Sequence, residues 1–132
     1  MIFFTSDIHF GQQSLLATGK WKERPFNTLE EMHSEIIKRW NKKVTNGDDV
    51  YIGSRGYQNM HVELIAQLKG RKHLIVGNHD DIKDLRVQQQ FVEIVQAKSL
   101  SVMANKEPYK LLLTHCPYMM WDGQHRGVIM LY

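Results

Sequence analysis

Three stretches of this chain end strand-like runs in side chains that bind metals or move protons: Asp7-Ile8-His9, Gly77-Asn78-His79-Asp80, and His115. Residues i and i+2 of an extended chain point the same way, so Asp7 and His9 can face one ion together. Asn78, His79 and Asp80 follow "HLIV" and add an amide, an imidazole and a carboxylate, with Asp81 directly after. Carboxylate, imidazole and amide oxygen in one place suit a hard-to-borderline divalent ion such as Mn²⁺, Fe²⁺ or Zn²⁺. Each stretch alone says little. Asp-x-His is a common tripeptide, and His115 beside Cys116 reads equally well as a buried, hydrogen-bonded imidazole. "GNHD" at the end of a strand is sharper, and three such strand ends together favour a metal site.

The elements that must carry these groups are legible from periodicity. "IFFTS" at 2–6 is a first strand, and "VYI" at 50–52 and "HLIV" at 73–76 are the second and third. Thr28 with Glu31 three residues on is a capping-box pattern. The apolar residues Leu29, Met32, Ile36 and Trp40 then give the helix one buried face. Asn59 can cap a second helix with the stripe Met60, Leu64, Ile65 and Leu68, ended by Gly70. "FVEIV" (91–95), "LSVM" (100–103), "KLLLT" (110–114) and "GVIML" (127–131) read as further strands, and "ANKEP" marks a hairpin turn between two of them. Strands and helices alternate early and strands run together later, which predicts a layered α/β sandwich. In open α/β sheets ligands bind beyond the carboxyl ends of the strands. The three reactive stretches all lie at such ends.

At 132 residues the chain fits one domain, residues 1–132, with enough length for a core. No apolar run approaches the roughly 18 residues of a membrane span. Cys116 is the only cysteine, so no internal disulfide is possible, which suits a reducing cytoplasm. Next to His115 it invites a thiol-nucleophile reading. Adjacent strand residues face opposite ways, however, and a structural cysteine is the plainer expectation. A net charge of +3 is compatible with a phosphate-bearing substrate and equally with an ordinary surface. The group Lys69, Arg71 and Lys72 could guide a nucleic-acid backbone, although cations are favoured after a helix end in any case. Arg24 and Arg126 are candidate phosphate contacts or surface and structural residues. Trp21, Trp40 and Trp121 read as core or rim packing. His33, His61, His73 and His125 match no pattern.

"TSDIHFG", "LIVGNHD" and "LLLTHCPYMMW" resemble, in that order, successive motifs of calcineurin-like metallophosphoesterases, closest to small bacterial and phage members. The flanking "RPFNTLEEM" and "GDDVYI" extend the likeness over nearly the whole chain. The resemblance implies an α/β; four-layer α/β/β/α metallophosphoesterase-like sandwich, incomplete at the C-terminus, with two divalent metal ions that hydrolyse a phosphate mono- or diester. It implies that Asp7 and His9 bind the first metal and Asn78 and His115 the second. His79 would protonate the leaving group or contact the phosphate, and Asp80 would orient that imidazole. The partner implied is a phosphate-ester small molecule or nucleotide, with nucleic acid a further candidate and no membrane.

Two positions depart from the pattern. The family carries Gly-Asp after the second strand, where Arg55 stands in this chain, and a Gly-His-x-His beyond a strand resembling "GVIMLY". Asp48 and Asp49 precede "VYI" and so lie at its opposite end, as solvated turn residues. These departures set two expectations against each other. In one, the encoded polypeptide is longer, with an aspartate between Ile52 and Gly56 and a His-x-His after Tyr132. In the other, the chain is a non-catalytic phosphate- or nucleic-acid-binding module on a degenerate scaffold, with Arg55 holding phosphate where the metals would sit.

Overall fold

A computed structural model describes residues 1–53, 61–77, 80 and 82–132. Four parallel strands form the first sheet: β1 (Ile2–Ser6), β2 (Asp49–Gly53), β3 (Arg71–Ile75) and β4 (Glu93–Val95), in that spatial order. The second sheet has the order β5 (Ala97–Ala104), β6 (Glu107–Thr114), β7 (Ile129–Leu131). β5 and β6 pair antiparallel and β6 and β7 parallel. The expected hairpin closes through Asn105 and Lys106, with φ of 51° and 68°. Two consecutive left-handed residues are what a two-residue hairpin requires if its twist is to match the strands.

The helix foreseen from Thr28 is α1 (Leu29–Lys43), and Thr28 caps it as expected, although Glu31 reaches back to Asn27 and not to Thr28 itself. Thr28 Oγ1 accepts the Glu31 N–H at 3.1 Å, while Glu31 accepts the Asn27 N–H at 3.0 Å. Such a cap contributes about 1 kcal/mol. The second helix is only α2 (Val62–Ile65), with His61 at its N-cap. The expected cap Asn59 and the stripe residue Met60 lie outside the described residues. Gly70 has φ +97°, and a Cβ there would stand 2.8 Å from Val44 Cγ1, so only glycine fits. A further turn, α3 (Leu85–Gln88), was not expected. Asp84 caps it by accepting the Arg86 N–H at 2.8 Å.

Alternation along the strands of the first sheet sorts the core into two layers. Val50 and Ile52 pack with Val44 and Trp40 of the helical side. Phe10, Ile65 and Leu68 extend that layer against Ile36, Ile37 and Trp40. On the other face Ile75 packs with Leu111 and Leu113 of the second sheet. The class is therefore the expected α/β sandwich, with helices on one sheet and the two sheets face to face. Among the described residues, the outer face of the second sheet carries the short turn Gln124–Arg126 in place of a long helix. No helix among the described residues is long and apolar enough to cross a membrane.

Asp48 and Asp49 do lie at the N-terminal end of β2, but they are not solvated turn residues. Asp48 is buried, and its carboxylate accepts from the Met1 ammonium at 2.5 Å and from the Thr45 N–H and hydroxyl, each at 2.7 Å. Asp49 takes Arg71 in a two-point contact at 2.9 and 2.6 Å and the His73 ring at 3.0 Å. His73 also faces Glu93 at 3.3 Å, and Glu93 binds Lys98 at 2.6 Å. This alternating row ties β2, β3 and β4 to β5 of the other sheet. It also pairs the exposed Arg71 with Asp49, while Lys72 is buried and donates to the Leu68 carbonyl at 2.8 Å. The basic group Lys69–Arg71–Lys72 is therefore not an open cationic patch.

Asp48 yields a pH prediction. The Met1 ammonium, and then the Thr45 backbone N–H and hydroxyl, lower its pKa from 3.8 to about 2. A depressed carboxylate pKa contributes stability above the unfolded value and loses it as pH falls through the folded one. In thermal unfolding, the advantage of wild type over Asp48→Asn should be full at neutral pH. It should shrink below about pH 4 and vanish towards pH 2.

Candidate metal centre

Parallel pairing brings the strand ends into one row. Ser6 pairs with Gly53, Gly53 with Ile75, and Ile75 with Val95. The C-terminal ends of β1, β2 and β3 thus stand side by side. A cleft of about 240 Å³ between the two sheets is lined by Ser6, Gly53, Ile75 and Thr114, the last residues of β1, β2, β3 and β6, with Phe4 and Tyr51 along its wall. The chain continues from these four ends into Asp7, Ser54, Val76-Gly77-Asn78 and His115.

Asp7 and His9 are close, but not through the extended geometry expected of them. Both have left-handed backbone, with φ of 53° and 54°. That conformation is uncommon outside glycine, although Asp and His adopt it more readily than most residues, and contacts from the surroundings hold it here. The Asp7 N–H donates to the Gly53 carbonyl at 3.2 Å, and the Gln12 N–H to the His9 carbonyl at 3.3 Å. Arg24 donates from Nη2 to the Asp7 carbonyl at 2.8 Å and from Nη1 to the Ile8 carbonyl at 2.7 Å. Burial, opposed by the nearby Glu23 and Asp7 carboxylates, lowers the Arg24 pKa. The guanidinium thus braces a turn and is not a free phosphate contact. Arg126 pairs with Asp122 at 3.0 Å.

His9 Nε2 stands 3.5 Å from Asp7 Oδ1. Two donor atoms about 2.1 Å from one tetrahedral ion are about 3.4 Å apart, so this pair has the spacing of shared ligands. His9 Nδ1 is buried without a hydrogen-bond partner among the described residues. Nδ1 is thus an unsatisfied buried polar atom, which calls for a further partner at this site. Donor types and spacing both fit a divalent ion. Among the described residues, however, no cluster of three or more His, Cys, Asp or Glu side chains stands at metal-binding range.

Asn78 and His79 lie outside the described residues, as do Arg55 and Asp81. Asp80 accepts the Gly77 N–H on Oδ2 at 2.6 Å. His115 is half-buried directly after β6. Cys116 is exposed, not structural, and its carbonyl accepts the Thr114 hydroxyl at 2.9 Å. Behind the Asp7 turn, Gly11 has φ +80°, and a Cβ there would overlap the His61 ring. The Gly11 N–H donates to His33 Nε2 at 2.8 Å, which makes His33 the Nδ1–H tautomer. Burial and the neighbouring His61 lower the pKa of His33, in keeping with that neutral form. Sequence spacing did not reveal the roles of Arg24, His33 and His61. All three reach the turn from positions distant in the chain, and no local pattern marked them.

The Metallophos family, calcineurin-like phosphoesterases, matches residues 1–115, and the chain belongs to that family. An uncharacterized protein of Methanocaldococcus jannaschii is 37% identical over 84 residues, covering 60% of this chain and 46% of its own length. The gene 66 protein of Mycobacterium phage L5 is 33% identical over 84 residues, 59% of this chain and 39% of its own. The matched stretch thus spans less than half of either relative. The crystal structure of a protein of unknown function from Aquifex aeolicus superposes with a TM-score of 0.61. It covers 89% of this chain and 61% of the other at 23% identity, a likeness that speaks for the fold alone. Calcineurin-like phosphoesterases act on phosphoester substrates and generally use divalent metals.

Proposed function

We propose that residues 1–132 form one phosphoesterase domain that hydrolyses a phosphate mono- or diester, a small molecule or nucleotide, in the cytoplasm. Asp7 and His9 would hold one divalent ion, Mn²⁺, Fe²⁺ or Zn²⁺, and Asn78 and His115 a second. The observation that carries this reading is the gathering of four strand ends around one cleft, with Asp7 and His9 at the spacing of shared ligands beside it. Bound ions would take up charge on the phosphoryl oxygens and make hydroxide available near neutrality. His79 would pass a proton to the departing oxygen, and Asp80 would fix the tautomer of that imidazole. The cleft walls, Phe4 and Tyr51, would exclude water from one side of the substrate.

The assay uses p-nitrophenyl phosphate and its bis ester with Mn²⁺, Fe²⁺ and Zn²⁺ in turn. Turnover of at least one ester is expected, removed by chelation and restored by adding metal. Silence with both esters across all three metals would sink the proposal. Phosphate binding that persists without any metal uptake would instead favour a binding module.

A further inference from the structure

Arg24 turns a half-buried guanidinium onto backbone, and both of its terminal nitrogens brace one turn. Its two terminal nitrogens take the carbonyls of Asp7 and Ile8, and Nη1 also lies 3.6 Å from the Sδ of Met32, which is fully buried. Arg24 makes no ion pair among the described residues. Its own N–H is anchored on the carbonyl of buried Leu15 at 2.8 Å. The carbonyls it fixes sit within Asp7-Ile8-His9, whose outer residues both hold the left-handed conformation. A non-glycine backbone keeps that conformation only where the surroundings over-determine it. The planar fork of arginine can bind two neighbouring carbonyls at once, which the single ammonium of lysine does poorly.

We propose that Arg24 is a positioning residue: it presets the turn so that the Asp7 carboxylate and the His9 ring face a common ion before that ion arrives. The purpose of the turn rests on the metal-dependent reading above, whereas its geometry does not. A turn already ordered loses less freedom when it binds, so Arg24 raises metal affinity without touching the metal.

The test compares wild type with Arg24→Met and Arg24→Lys in three readouts. The first needs no metal: amide hydrogen exchange at Asp7, Gly11 and Gln12, whose N–H groups are all bonded within the turn's surroundings. Exchange there should quicken at least about tenfold in Arg24→Met while α1 and β3 amides hold their rates. The second is Mn²⁺ titration, where affinity should weaken by about 10- to 100-fold, with Arg24→Lys between the extremes. The third is ester turnover. A kcat deficit at limiting Mn²⁺ should recover at saturating Mn²⁺ with KM unchanged, which general destabilisation would not produce. If Arg24→Met also loosens α1, Arg24→Lys decides, because it keeps the charge and most of the packing. Exchange and Mn²⁺ affinity within twofold of wild type would overturn the proposal. Faster exchange in a protein whose wild type binds no Mn²⁺ would overturn the metal reading and the role assigned to Arg24 in it.

Discussion

Asp7→Asn will lower kcat/KM for ester hydrolysis by on the order of a thousandfold or more while leaving the protein at least as stable as wild type. The size of the loss follows from what the carboxylate is asked to do. Changing a residue that only supports a metal ligand costs about 10- to 100-fold, so removing the charge of the direct ligand proposed here should cost more. The stability half of the prediction comes from the backbone. Asp7 sits at φ 53°, in a region that asparagine tolerates well. An amide at this position also keeps the shape of the side chain. Activity and stability should therefore separate, as happens where a strained backbone is kept for function. His115→Ala should match the activity loss, since it removes the donor proposed to come from the second sheet. Thermal unfolding beside the ester assay checks both halves. An active double variant would remove the metal-centre argument altogether.

Leu74→Ala should destabilise the fold by about 3 kcal/mol, within the roughly 2–5 kcal/mol range of buried leucine truncations. Leu74 is fully buried in β3, in register with Ile52 and flanked by β2 and β4. Its neighbour Ile75 faces the second sheet, so β3 is covered on both faces and has little room to collapse into a cavity. The melting temperature should fall by roughly 10 °C. Activity per folded molecule should persist at low temperature, because Leu74 contributes packing and no chemistry. A fall of under about 3 °C would mean that the helical layer does not close over β3 as described.

What could be read from the sequence was what local pattern controls. α1 follows from four apolar residues at helical spacing and a threonine cap, and the β5–β6 hairpin from its turn signal. α3 was missed because it is one turn long, too short for periodicity, although Asp84 ahead of it is a cap residue. Among the site residues, the convergence of strand ends was legible from the rule that parallel strands deliver ligands to one edge. The approach of Asp7 to His9 was anticipated for the wrong reason. The chain is already off the sheet after Ser6, and a left-handed turn braced by Arg24, 17 residues from Asp7, brings the pair together. The charged row from Arg71 to Lys98 was hidden for the same reason. It depends on pairing across four strands, and no stretch of sequence holds it.

Titrating the chain with Mn²⁺ by calorimetry tests the central claim most directly, because it reads the proposed centre without assuming a substrate. Wild type should take up Mn²⁺ saturably, two ions per chain, and replacing either Asp7 or His115 should weaken that uptake. No uptake, or uptake indifferent to both replacements, would contradict the claim.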